Sequence, residues 1–184
     1  VNINKFLLGK NPATANSYLA RIQSFCKYHN ISIHRVVRRA EDIEEPIALN
    51  SNQLRMVIET AKKNDPEMAH VIIILSETGL RVHEFMQITG ESLFYMEDGT
   101  PAIKVKGKGR VHRTVPLTTV CLAAIKALQF PIGKQEQAIC RAITRLGEQS
   151  GIGIPITTHT LRRSFASIAL NSKGMPLQDV MRVG

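Results

Sequence analysis

The sequence predicts a mainly α-helical protein with a small three-stranded antiparallel β-sheet, an α+β fold. Three observations lead there. Apolar residues recur at helical spacing through most of the chain, as at Leu54, Val57, Ile58 and Ala61. Between Leu93 and Leu117 the period shortens to two and glycines punctuate it. Helical spacing returns after Thr118 and holds to the end.

Asn11-Pro12 opens the first helix, with proline where a missing N–H does no harm, and Tyr18, Ile22, Phe25 and Cys26 carry its apolar stripe to about residue 29. A short element over Ile33–Ala40 bears Arg35, Arg38 and Arg39, then meets Glu41, Asp42, Glu44, Glu45 and Pro46. A charge reversal ending in proline reads as a linker. Residues 1–45 bury too little surface to stand alone, and 46–184 form the main domain. Asn50 or Ser51 caps a helix over 51–63, and Asp65-Pro66 starts another. Its near-unbroken apolar run, Val71 to Leu75, marks a buried helix ending at Thr78-Gly79. A short helix spans about 81–88. Strands follow at 93–96, 102–106 and 111–117, joined by the Glu97-Asp98-Gly99 turn and by Gly107-Lys108-Gly109. Helices from Thr118 or Thr119 to Leu128 and from Lys134 to Gln149 precede a glycine- and proline-rich loop. A helix over 159–172, capped by Thr157 or Thr158, ends before Gly174, and Pro176 begins the last one. There is no internal repeat.

The 184 residues are 43% hydrophobic, which suits a globular chain, and carry a net charge of +9. No apolar run reaches the roughly 18 residues of a membrane span, and the first residues lack the apolar centre of a signal peptide. Cys26, Cys121 and Cys140 form an odd, unpatterned set, suited to core packing in a reducing, cytoplasmic setting. The charge favours a polyanion, with nucleic acid first.

Three segments can carry chemistry. In Thr78-Gly79-Leu80-Arg81-Val82-His83-Glu84, Arg81 sits at an element boundary and Glu84 is spaced to hold its guanidinium; an exposed Arg–Glu helix pair is the plainer alternative. His83-Glu84 is not a zinc motif, since Gln87 stands where a second histidine is needed. In the hairpin, Lys104 and Lys106 share one face and Ile103 and Val105 the other, while Lys108 lies between two glycines and Arg110 follows. The spacing excludes a P-loop, and a lysine-protected edge hairpin is the alternative. Arg113 shares parity with Val111 and Val115, so either a bulge intervenes or it points inward at something acidic or anionic. In the helix over 159–172, His159, Arg162 and Arg163 share one face opposite Leu161, Phe165, Ile168 and Ala169. Guanidinium forks in the first turn of a helix suit phosphate oxygens, although a solvated basic face has the same pattern. No carboxylate cluster or zinc spacing implies a metal, and no cofactor is implied.

Thr-Gly-Leu-Arg-x-x-Glu, the Gly-Lys-Gly hairpin running into Val115-Pro116-Leu117, and His-x-Leu-Arg-x-Ser-Phe-Ala together resemble the tyrosine recombinase (phage integrase) family, in order and spacing from about residue 47 onward. The resemblance implies that family's catalytic-domain fold for 46–184, and the closing part of a helical core-binding domain plus linker for 1–45. It implies that Arg81 and Arg162 clamp the scissile phosphate, that Lys108 protonates the leaving 5′ oxygen and that His159 assists proton transfer. Glu84 and Arg163 support them; Arg163 stands where the family commonly has histidine. Lys104, Lys106, Arg110, Arg113, Arg38 and Arg39 are the expected DNA contacts. The family's nucleophilic tyrosine falls beyond a segment like Val180–Gly184, so the chain is expected to be truncated before it and to bind DNA without cutting it. Tyr18, Tyr28 and Tyr95 do not match that motif and are expected to pack in the core. The implied partner is double-stranded DNA, with a homo-tetramer on DNA for the full-length protein and a monomer for this chain, encoded by a prokaryote, phage or plasmid. Two other readings stay open: a non-catalytic DNA-binding accessory or regulatory protein that keeps the phosphate clamp, and a type IB topoisomerase or telomere resolvase, whose sites are similar.

Overall fold

A computed structural model of the chain describes residues 3–33, 47–107, 112–171 and 174–183. Contacts divide it into two compact units, Val1–Glu45 and Pro46–Gly184. The architecture is mainly helical with one three-stranded sheet.

The first unit holds α1 (Ile3–Leu7) and α2 (Pro12–Tyr28). The Asn11 side chain accepts the Thr14 N–H at 3.0 Å and Pro12 takes the first helical position, which fixes the start of α2. Its buried stripe is Ala15, Leu19 and Cys26, and Leu7 packs on its first part. Tyr18 and Phe25, expected inside, lie one position off this stripe and are exposed. Tyr18 instead meets Phe6 edge-on at 5.7 Å, with the Lys10 ammonium over both rings. Tyr28 and Tyr95 are also exposed, so none of the three tyrosines is a core residue. The element expected over 33–40, with Arg38 and Arg39, lies outside the described residues.

The second unit is built around α4 (Pro66–Thr78), whose apolar run is buried almost throughout. It packs against α3 (Ser51–Asn64), α6 (Thr119–Ala127), α7 (Glu136–Gln149) and α8 (Thr158–Asn171). A helix enclosed on several sides needs no polar face, which is why its sequence shows no amphipathic period. Asn50 and Gln53 form a reciprocal capping box at the start of α3, and Asp65 caps α4 by accepting the Met68 N–H. The Cys121 thiol lies in this core, and burial, helped by the charge of Glu77, pushes it up to about 12. It is a packing residue.

The short helix α5 (Val82–Phe85) ends earlier than its sequence suggests. The next N–H groups, of Gln87 and Ile88, reach back only three residues, to Glu84 and Phe85, and the chain leaves through a 3-10 turn at Gly90–Ser92. Strands β1 (Leu93–Tyr95), β2 (Pro101–Lys106) and β3 (His112–Pro116) form an antiparallel meander in the order β1-β2-β3. The β2–β3 register sets Val105 opposite Arg113, and Lys104 opposite Thr114, with no bulge. Period two therefore buries Ile103, Val105 and Val115 and brings Arg113 to the same face. The last helix, α9 (Leu177–Val183), places Val180 against Phe165 and Ala169 of α8. No helix among the described residues is long and apolar enough to cross a membrane.

Ser164 ties the two ends of this unit together. Its hydroxyl, fully buried, donates to the Thr160 carbonyl at 2.7 Å and accepts the Leu49 N–H at 2.8 Å. Ser164→Ala strands that N–H without a partner. It should cost about 1–3 kcal/mol in urea denaturation, with the m-value unchanged.

Candidate functional site

Three elements bring the chemistry together: the α4–α5 junction, β3 and the first turns of α8. At the junction the Thr78 hydroxyl donates to the Ile74 carbonyl, and Gly79 ends α4 in the left-handed region at φ 62°. A Cβ at Gly79 would stand 2.5 Å from the Phe165 ring of α8, so only glycine fits both the dihedral and the contact. The turn delivers Arg81 to the cap position of α5, where its backbone N–H donates to Glu84 Oε2 at 2.9 Å.

Glu84 is 0% exposed. Arg113 reaches it from β3 with both terminal nitrogens, Nη1 to Oε1 at 3.0 Å and Nη2 to Oε2 at 2.9 Å, a fork-to-fork pair. Arg81 Nη1 makes a longer contact to Oε1 at 3.3 Å. Burial alone would raise the Glu84 carboxyl pKa. The Arg113 hydrogen bonds, the Arg81 N–H and the charges of both guanidiniums outweigh it and hold the pKa below the ordinary value of 4.5.

On α8, Thr157 caps the helix: its hydroxyl accepts the Thr160 N–H at 3.2 Å, and the Thr160 hydroxyl accepts the Thr157 N–H at 3.2 Å. Leu161 and Phe165 point into the core, which leaves Arg162 at the boundary. Arg162 Nη1 donates to the Gly79 carbonyl. Burial, then the charge of Arg81, lowers the Arg162 pKa; Arg113 adds to this and Glu84 opposes it. The guanidinium remains a cation at neutral pH. Three guanidiniums thus lie around one carboxylate, two of them bonded to it, and the cluster carries excess positive charge.

No family model matches the chain. It is 26% identical, over 208 aligned residues, to the tyrosine recombinase XerD of Listeria innocua, with 95% of this chain and 68% of that protein covered. Over nearly its whole length the chain is similar in sequence to tyrosine recombinases. Two solved structures share its fold. XerH site-specific recombinase bound to palindromic difH substrate matches with a TM-score of 0.76 at 19% identity, covering 98% of this chain and 62% of that one. A lambda integrase tetramer bound to a Holliday junction matches with a TM-score of 0.72 at 15% identity, covering 98% and 60%. The chain spans about two thirds of the length of these three proteins.

The structure joins Arg81, Glu84, Arg113 and Arg162 in one cluster. His159 and Arg163 are exposed and, with Arg162, line a groove of about 430 Å³ shared with apolar residues of α8 and α9. Lys104 and Lys106 are exposed on the outer face of β2. Arg113, grouped with them on sequence, is turned the other way: its side chain is 18% exposed and occupied by Glu84. Lys108 and Arg110 lie outside the described residues. Glu84 does contact Arg81, but its shorter side-chain bonds go to Arg113, and its carboxylate is buried rather than exposed on a helix surface. Strand parity already signalled an inward Arg113; no local signal marked its partner, 29 residues away. The Gly79 carbonyl under Arg162 and the Leu49–Ser164 bond had no sequence signal at all.

Proposed function

We propose that the chain carries the catalytic domain of a site-specific DNA recombinase or integrase, which cuts and rejoins DNA through a 3′-phosphotyrosyl intermediate. The observation that carries this reading is the convergence of Arg81 and Arg162 from two elements, one bonded to the buried Glu84 carboxylate and the other to the Gly79 carbonyl, close enough for their charges to interact. In this reading both guanidiniums bind the non-bridging oxygens of the scissile phosphate and stabilise the charge that develops there. A tyrosine hydroxyl attacks phosphorus in line. The phosphotyrosyl bond forms, the bond to the 5′ oxygen breaks, and Lys108 supplies the proton that leaves with it. His159 assists proton transfer, and Glu84 and Arg163 support the arginines. Lys104, Lys106, Arg110, Arg38 and Arg39 contact the DNA backbone. Residues 46–184 are the catalytic domain, and 1–45 close a helical core-binding domain and its linker.

None of the tyrosines present belongs to the elements of the cluster: Tyr18 and Tyr28 are on α2 and Tyr95 ends β1. The nucleophile is therefore assigned to sequence other than these 184 residues. As it stands the chain binds duplex DNA as a monomer and does not cut it, while the whole protein works as a tetramer on DNA. The same observation favours a second reading, a non-catalytic DNA-binding accessory protein that keeps the clamp. The two part on one experiment. The full gene product either forms a covalent DNA adduct, as a recombinase must, or binds without one.

Either form should bind through phosphates. With about six of them contacted, log K should fall against log salt with a slope near −5, measured by fluorescence anisotropy on a labelled duplex. A salt-independent affinity overturns the nucleic-acid reading.

A further inference from the structure

Arg113 stands out because it is a cation buried beside a phosphate-binding cluster without being available to phosphate. Both of its terminal nitrogens are spent on Glu84, at 3.0 and 2.9 Å. Arg81, on the same carboxylate, has one side-chain contact at 3.3 Å and is 41% exposed. The single anion thus gives both oxygens to the inner guanidinium and only one, at longer range, to the outer, whose other nitrogens are left for a further ligand. A fork matching both oxygens at once is something arginine supplies and lysine does not.

We propose that Arg113 is a positioning residue. By occupying both oxygens of Glu84 it limits Arg81 to one long side-chain contact and keeps the carboxylate from taking its whole fork, so that Arg81 faces the incoming phosphate beside Arg162. The inference rests on the phosphate-clamp reading above. Its logic is competition: a buried carboxylate that loses one cation takes the next, and here the next is Arg81. Removing Arg113 therefore weakens the clamp without removing any group that touches the anion. Removing the charge of Glu84 as well frees Arg81 again. The amide oxygen of a glutamine at 84 still accepts the Arg81 backbone N–H, so the cap of α5 survives.

The test is a titration with inorganic phosphate, read from the arginine side-chain ¹⁵N–¹H NMR signals of Arg81 and Arg162. The chains compared are wild type, Arg113→Met, Glu84→Gln, and Arg113→Met with Glu84→Gln. Arg113→Met should raise the dissociation constant by about tenfold or more, as expected when a charge-assisted hydrogen bond is diverted. The double variant should return to within about threefold of wild type, a rescue that independent sites do not give. A merely structural Arg113 predicts no such rescue. Should Arg113→Met fail to fold, Arg113→Lys carries the same comparison, since it keeps the charge and gives up the fork. The proposal is overturned if the single variant binds phosphate as wild type does. It is also overturned if the double variant binds as weakly as the single, because Arg113 then touches the anion itself. If phosphate moves neither Arg81 nor Arg162 in the wild-type chain, the clamp reading falls and this one falls with it.

Discussion

Arg162→Ala should lower the rate of covalent adduct formation on DNA by about 10²–10³, measured on a nicked duplex with a form of the protein that carries the tyrosine. Duplex affinity should fall far less, because one guanidinium is only one of several phosphate contacts. Two losses combine here. The phosphate loses a preorganised donor, and the Gly79 carbonyl loses the guanidinium that sits on it. Arg162→Lys should recover only part of the rate, since one ammonium lacks the planar fork needed to hold the carbonyl and a phosphate oxygen together. Arg163→Ala, at an exposed neighbour on the same helix, should cost much less. Adducts formed at the wild-type rate by Arg162→Ala overturn the assignment.

The second large effect is expected at Gly79. An alanine there must hold φ near 62° and push its Cβ to 2.5 Å from the Phe165 ring. The left-handed backbone costs about 1–2 kcal/mol and overpacking a filled core about 1–3 kcal/mol. The sum, about 2–5 kcal/mol, is a large share of the roughly 5–15 kcal/mol that holds a domain together. Gly99→Ala separates the two costs. Gly99 has φ 79° and nothing within 4 Å of an added Cβ, so only the backbone cost applies. Urea midpoints should therefore fall much further for Gly79→Ala than for Gly99→Ala. Shortening the ring in Gly79→Ala with Phe165→Leu should recover part of the difference. Equal losses at both glycines would show that Phe165 yields without cost.

How legible all this was in the sequence follows the range of each interaction. The caps of α2, α3 and α4 are written within four residues, and Asn11, Asn50 and Asp65 announce them. The buried run of α4 is legible for the same reason, because its composition reports its own environment. The stripe of α2 was not. Tyr18 and Phe25 share the period of Ala15 and Leu19, and only the packing of Leu7 decides which stripe turns inward. The brevity of α5 was hidden too, since nothing local requires Gln87 and Ile88 to tighten into three-residue bonds. At the site, Arg81, Glu84 and Arg162 stood out by residue type and spacing. What they do to one another depends on partners 29 to 115 residues away: Arg113 on Glu84, Gly79 under Arg162, Leu49 on Ser164. Spacing within a motif says nothing of such pairs, which exist only once the sheet and the helices have closed.

The register of the hairpin also limits how its length can drift between relatives. Arg113 meets Glu84 because it lies opposite Val105, an even number of positions from the buried Val115. One residue gained or lost within His112–Pro116 would swing Arg113 to the lysine-bearing face and leave Glu84 facing a different side chain. A two-residue change keeps the parity. Along that strand, surviving insertions and deletions should come in pairs, whereas the turn joining Tyr95 to Pro101, whose residues 96–99 are exposed, is under no such arithmetic.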